Sequence, residues 1–230
     1  ESATREGWFV VSDTSYPGYT DIPKDVMQGY ELMAAEACDQ LDVAPTHIFL
    51  QTGVGGMAAA VAAYTKRRYG NDRPMIVLAD PDQSACWLES IRHGTPTPVH
   101  GDLDTLMAGL ACGEISVIAW EILRQTADAV MSVTDDDAVM MMQVLANPTL
   151  DDLPIVAGES AVAGLAALME RQPFYIGNQH SQNGEERRLI YIDMDSPRVS
   201  TSEGEKLFLE QGGTSEYLQR ISSILEAIYT

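Results

Sequence analysis

His47-Ile-Phe-Leu-Gln-Thr-Gly-Val-Gly-Gly-Met-Ala-Ala-Ala60 is an apolar strand that runs into a glycine turn and out again into an alanine-rich helix. Backbone N–H groups bared at such a turn, at the positive end of a helix, form a site for a phosphate. Glycine suits the position because a side chain would hold the anion away and because the turn is expected to visit positive φ. The same residues also read as a tight strand-to-helix turn with no ligand, since one glycine motif is not specific by itself.

Outward from this unit, strand and helix signals alternate. Trp8-Phe-Val-Val-Ser12 reads as a strand, and Ile22-Pro-Lys-Asp25 opens a long amphipathic helix to about Leu41, with Pro23 in its first turn. The helix after the glycine turn is expected over Gly56 to Tyr69. Met75-Ile-Val-Leu-Ala-Asp80 is a continuous apolar run, the pattern of a strand covered on both faces. Ala85–His93, Leu103–Ala111 and Ile115–Gln125 read as helices, Ala129–Val133 as a strand, and Asp135–Ala146 as a helix with an acidic start. Pro154-Ile-Val-Ala-Gly158 leads into a helix near Glu159–Arg171. Gln179–Glu186 reads as an exposed loop before the strand Arg188–Asp193, and Glu216–Tyr229 as a closing helix. This alternation predicts an α/β fold, a mostly parallel sheet with helices on both faces, and ligands at the carboxyl ends of its strands. No internal repeat or linker stands out, so residues 1–230 read as a single domain.

Composition narrows the function. A formal net charge of −20 argues against nucleic-acid or anionic-membrane partners. No apolar run approaches the roughly 20 residues that span a bilayer, and Glu1-Ser-Ala-Thr-Arg-Glu6 has no signal-peptide character. Cys38, Cys86 and Cys112 read as buried free thiols of a reducing, cytoplasmic protein. His47, His93, His100 and His180 have no metal-ligand spacing, so no metal centre is expected.

Two ligands suit the turn. Gly53-Val-Gly-Gly-Met-Ala58 satisfies the dinucleotide pattern G-x-G-x-x-A, and Asp80 ends the next strand where a ribose-binding acid would lie. An NAD-linked oxidoreductase follows from that reading. Against it, the turn lies after an earlier strand–helix unit, and Asp80 is followed by Pro81, a strand-end turn pattern that needs no ligand.

The second ligand is pyridoxal 5'-phosphate, held by its one phosphate. Phe9-Val-Val-Ser-Asp-Thr-Ser-Tyr-Pro-Gly-Tyr19, Ile22-Pro23 and Val26-Met-Gln-Gly-Tyr30 resemble the signature of the diaminopropionate ammonia-lyases, pyridoxal-phosphate enzymes of the tryptophan-synthase-β (fold type II) group. Gln51-Thr-Gly-Val-Gly-Gly-Met57 is similar to their phosphate loop. Gly158-Glu-Ser160 and Ser202-Glu-Gly-Glu-Lys206 are similar to two shorter turns of the group. The resemblance implies that Gly53, Val54, Gly55, Gly56 and Met57 hold the phosphate, mainly through backbone N–H groups. It implies that Ser202 hydrogen-bonds the pyridine nitrogen and that Glu159 orients groups near the ring. On local sequence alone, Ser202 reads as a turn or cap and Glu159 as an acid at a helix N-terminus. Asp13, at the end of the first apolar run, matches an aspartate near the substrate and is expected to move the proton at Cα; capping of the turn Thr14–Gly18 is its other reading.

The activity so implied is α,β-elimination from 2,3-diaminopropionate, a small amino acid, to pyruvate and ammonia, by a homodimer. Another dehydratase or synthase of the group, or a catalytically silent binding module, fits the same scaffold. The lysines are Lys24, Lys66 and Lys206, none in the context of a cofactor-bearing lysine. The expectation is therefore that the chain is the larger, carboxyl-terminal part of a longer enzyme, with the lysine-bearing part upstream, and inactive alone.

Overall fold

Three short strands rich in β-branched and small apolar residues pair in parallel and fix the rest of the chain around them. The computed structural model describes residues 2–148 and 153–169 and the backbone of the strand segments 175–180 and 186–192. A short helix α1 (Ser2–Glu6) and a long one, α2 (Asp21–Asp39), precede β1 (His47–Gln51) and α3 (Gly56–Tyr69). Then follow β2 (Met75–Pro81), α4 (Cys86–His93), α5 (Val117–Thr126), β3 (Ala129–Val133), α6 (Asp135–Ala146), α7 (Ala163–Met169), β4 (Tyr175–His180) and β5 (Glu186–Ile192). The sheet order is β1-β2-β3-β5-β4, parallel throughout except for the antiparallel edge strand β4.

Alternation along β2 builds two cores. Ile76 and Leu78 point to one face, with Leu50, Val130 and the buried sides of α2 to α5. Val77 and Ala79 point to the other, with Met131, Val133 and the helices α6 and α7. Both faces are thus covered, as a parallel sheet requires. Ala58, Ala59, Ala60 and Ala62 of α3 are buried, and small side chains let this helix pack close. Its basic end is tied to α2 by exposed pairs: Arg67 donates twice to Glu31 at 2.9 and 2.8 Å, and Arg68 bonds Asp39. Helix α6 opens with a capping box between Thr134 and Asp137, which satisfies its first free N–H groups.

Several expectations change. Trp8–Ser12 is not a strand: no described residue pairs with it, and Trp8, Phe9, Val10 and Val11 are 65%, 81%, 54% and 67% exposed. An apolar run becomes a strand only when a neighbour accepts its backbone bonds. Here the Tyr19 hydroxyl folds the segment into a loop, accepting from the Ser12 N–H at 2.9 Å and donating to the Val10 carbonyl at 3.2 Å. Leu103–Ala111 is not a helix beyond a single 3-10 turn at Ala108–Leu110. The Asp135 carboxylate accepts from the Thr105 hydroxyl (2.6 Å) and the Leu106 N–H (2.8 Å), an alternative to helical bonding set from a distance. Glu159–Val162 is a 3-10 turn, and α7 begins only at Ala163. Gln179 and His180 lie in β4 and Glu186 in β5, where an exposed loop is expected; residues 181–185 lie outside the described residues. The closing helix Glu216–Tyr229 lies outside the described residues.

Candidate phosphate-binding site

The turn after β1 lies at the carboxyl edge of the sheet. Its first residue, Thr52, is fully buried; its N–H donates to the Ala79 carbonyl at 2.8 Å, which carries the β1–β2 pairing one step further. Gly55 has φ +92°, a left-handed conformation that reverses the chain into α3. A Cβ there would lie 2.3 Å from the Trp87 ring, so glycine is required twice over. At Gly53 a Cβ would come within 3.1 Å of Cys112 Sγ and of the Leu110 Cα.

Among the described residues the N–H groups of Gly53, Gly55, Gly56 and Met57 have no protein acceptor. Three of these residues are buried glycines. Buried backbone donors are nearly always paired, so a cluster of free ones at a helix N-terminus fits an anion. The Val54 N–H faces the Cys112 thiol.

A buried carboxylate stands behind the turn. Asp80, at the end of β2, accepts from the Trp87 N–H at 2.7 Å and the Leu88 N–H at 3.1 Å, which caps α4, and from the Thr52 hydroxyl. Complete burial raises its pKa to about 7, against the opposing pull of these hydrogen bonds. With both oxygens turned inward, Asp80 cannot meet a ribose, which removes the main support for the NAD reading. Burial pushes the thiols of Cys86 and Cys112 up as well, with the charges of Asp80 and, for Cys112, of Asp13 adding to the effect. Cys112 is half-buried rather than a core thiol, and it borders the turn.

Asp13 is exposed, and its carbonyl oxygen lies 3.9 Å from where a Cβ on Gly56 would be. The segment is held there by two buried serines. Ser15 and Ser116 share a hydroxyl–hydroxyl bond of 2.6 Å; Ser15 Oγ accepts from the Ile118 N–H at 2.8 Å, capping α5 from far away in sequence. The Ser116 N–H in turn donates to the Val54 carbonyl at 2.9 Å, so the Asp13 loop, α5 and the turn form one unit. At the turn, Ser12 Oγ accepts the Thr14 N–H at 3.2 Å and the Asp13 carboxylate accepts the Thr14 hydroxyl at 3.4 Å.

Glu159 opens its 3-10 turn and is half-buried. Its carboxylate accepts from the Ser160 hydroxyl at 3.5 Å, and that hydroxyl accepts from the Gly109 N–H at 3.0 Å. Gly109 borders Gly53, so Glu159 connects to the turn through two intermediaries. Ser202 and Lys206 lie outside the described residues. Lys24 is exposed, 3.9 Å from Asp21, and Lys66 lies in the last turn of α3, at the end away from the glycines. Among the described residues no group of three His, Cys, Asp or Glu is arranged to hold a metal ion, and no helix is long and apolar enough to cross a membrane.

The sequence reading missed Trp87, Thr52, Ser15 and Ser116. Of these, only Ser116 had a local signal, as a small hydroxyl residue just ahead of an apolar helix.

Fold and turn together define an α/β protein with a cluster of free backbone donors at the carboxyl edge of a parallel sheet. The chain belongs to the pyridoxal-phosphate dependent enzyme family, whose model matches residues 1–179. A second family model, SapC, matches residues 151–230. The diaminopropionate ammonia-lyase of Escherichia coli K12 is 43% identical over 171 residues, which are 73% of this chain and 43% of that protein. The enzyme of the same name from Salmonella typhimurium LT2 is 37% identical over 188 residues, 79% of this chain and 46% of that protein. The crystal structure of the Escherichia coli lyase in complex with an aminoacrylate-PLP azomethine reaction intermediate superimposes with a TM-score of 0.65 at 41% identity, covering 72% of this chain and 43% of that one. The chain thus spans less than half the length of the curated relatives it matches.

Proposed function

We propose that this chain supplies the phosphate-binding sheet domain of a diaminopropionate ammonia-lyase, which converts 2,3-diaminopropionate to pyruvate and two molecules of ammonia. The observation that carries the proposal is the set of unpaired N–H groups of Gly53, Gly55, Gly56 and Met57 with Asp13 at the same edge of the sheet. These donors suit a phosphate; Gly53, Val54, Gly55, Gly56 and Met57 would hold it. Bound there, pyridoxal phosphate supplies an electron-withdrawing ring that stabilises negative charge at Cα. The protein does the rest. Asp13, exposed to the substrate side, takes the Cα proton and returns a proton to the departing β-amino group. Glu159, through Ser160 and Gly109, holds the wall beside Gly53. Ser202 is assigned to the ring nitrogen on its similarity to the family turn alone. Aminoacrylate, once released, hydrolyses to pyruvate and the second ammonia.

Neither Lys24 nor Lys66 is placed to carry the cofactor, and Lys206 has not the sequence context of a cofactor-bearing lysine, so the 230 residues alone should form no pyruvate. The direct test is a chimera in which this chain's matching stretch replaces its counterpart in the Escherichia coli lyase. Pyruvate formation that is lost with Asp13→Asn supports the assignment. A chimera that binds pyridoxal phosphate yet leaves diaminopropionate untouched refutes it.

The pairing of β5 with β3 supports reading residues 1–230 as one domain. Limited proteolysis that releases a stable piece ending near the overlap of the two family matches would divide it instead. The exposed Trp8–Val11 run supports self-association, and we assign a homodimer, to be checked by light scattering. Three free thiols suit a reducing cytoplasm.

A further inference from the structure

The Gly53 carbonyl is gripped from a different element: Trp87 Nε1 donates to it at 2.9 Å. In a trans peptide the C=O and the following N–H point in opposite directions. Tying down the Gly53 oxygen therefore turns the Val54 N–H the other way, onto the Cys112 thiol at the border of the turn. A flip of that peptide would break both bonds and turn a carbonyl oxygen among the free donors of the turn. The same indole also underlies Gly55, where its Cζ2, Cε2 and Nε1 atoms lie 2.3, 2.8 and 2.9 Å from the position of a Cβ. The ring, with the Cys86 thiol donating to the same carbonyl at the longer distance of 3.7 Å, thus sets the direction of one peptide, and it alone sets the height of Gly55. Trp87 is itself immobilised: it is fully buried, it leans on Trp120 with ring centroids 6.2 Å apart, and its own N–H is fixed by Asp80 at 2.7 Å. Asp80 simultaneously holds the hydroxyl of Thr52, the residue before Gly53.

We propose that Trp87 is the positioning residue of the phosphate subsite, acting through the Gly53 carbonyl and the Gly55 backbone with Asp80 as its anchor. The proposal rests on the pyridoxal-phosphate reading above and adds a residue that the glycine motif does not contain.

The test compares pyridoxal phosphate with pyridoxal, which lacks the phosphate, by equilibrium dialysis against the chain and its Trp87→Phe variant. Phe keeps an aromatic ring but has no N–H. Loss of one such bond should weaken pyridoxal phosphate binding about five- to tenfold, with pyridoxal binding unchanged. Unchanged pyridoxal phosphate affinity in a folded variant overturns the role of Trp87 and leaves the cofactor reading standing. Wild-type chain that binds the two compounds equally overturns the cofactor reading and the proposal with it. Should Trp87→Phe fail to fold, the unaltered chain labelled with 15N in its indoles gives the answer, the Trp8→Phe and Trp120→Phe variants assigning the signals. The Trp87 indole resonance should move with pyridoxal phosphate and not with pyridoxal; a resonance indifferent to both overturns the proposal.

Discussion

Gly55→Ala is the substitution with the most consequences. The new methyl would need a backbone at φ +92°, where an L-residue costs about 1–2 kcal/mol more than glycine. It would also start 2.3 Å from Trp87 Cζ2, more than an ångström inside normal contact. The indole cannot retreat freely, because it is fully buried against Trp120 and bonded to Gly53. Overpacking of a filled core adds about 1–3 kcal/mol. The sum is a loss of about 2–5 kcal/mol, a large share of the roughly 5–15 kcal/mol that holds an average domain together. Gly56→Ala provides the control one residue away: its methyl would meet Met27 Cγ at 3.8 Å and the Asp13 carbonyl at 3.9 Å, ordinary contacts at a helical φ. Urea unfolding followed by circular dichroism should show Gly55→Ala shifted by several kcal/mol and Gly56→Ala within about 1 kcal/mol of the parent, given the small helix-propensity gain of Ala. Equal stabilities for Gly55→Ala and the parent, or equal damage from both variants, would refute the idea that the turn rests on Trp87.

Further outcomes concern the supports of the turn. Asp80 titrates near 7 folded against 3.8 unfolded, so between those values the folded chain keeps a proton that the unfolded chain has lost. Its contribution to stability is full below about pH 4, declines as pH rises to about 7 and is flat above; denaturation midpoints across that range should show a loss of a few kcal/mol, which Asp80→Asn abolishes. Asn can still accept the Trp87 and Leu88 N–H bonds and donate to Thr52 Oγ1, whereas Asp80→Ala should destabilise at every pH. Ser15→Ala removes the cap of α5 and leaves the buried Ser116 Oγ with only the Ser15 N–H at 3.2 Å, for a loss of about 1–3 kcal/mol in urea unfolding. Asp128→Ala breaks the bidentate pair with Arg73 (2.6 and 2.8 Å) and the bond from the Ile76 N–H, at the edge of the sheet away from the site. It should cost about 2–3 kcal/mol of stability while leaving pyridoxal phosphate affinity, read by dialysis, as it was.

The parts of this fold that could be read from sequence are those whose causes are local. The unbroken apolar run of β2, the glycines after β1 and the acidic start of α6 each determine their own structure within a few residues. Trp8–Ser12 has an equally convincing strand pattern, but a strand is made by its neighbour, and no described segment offers one. Leu103–Ala111 has helical spacing, yet the carboxylate that competes for its backbone comes from Asp135. The site divides in the same way. Gly53, Gly55 and Gly56 announce themselves, because only glycine tolerates that turn. Trp87, Thr52 and Ser15 do not, since a buried tryptophan or hydroxyl residue has no local mark until the chain has folded, and Ser116 has only the weak one of preceding an apolar helix. Asp80 was legible as a strand-end acid but not in its direction, which burial and the start of α4 decide.

The account stands on backbone donors between residues 53 and 57 meeting a phosphate. Amide resonances of 15N-labelled chain, titrated with pyridoxal phosphate and separately with pyridoxal, test this most directly. The N–H signals of Gly53, Val54, Gly55, Gly56 and Met57 should move downfield with the phosphorylated compound and stay still with the other. Binding of pyridoxal phosphate that leaves those five signals in place would contradict the account.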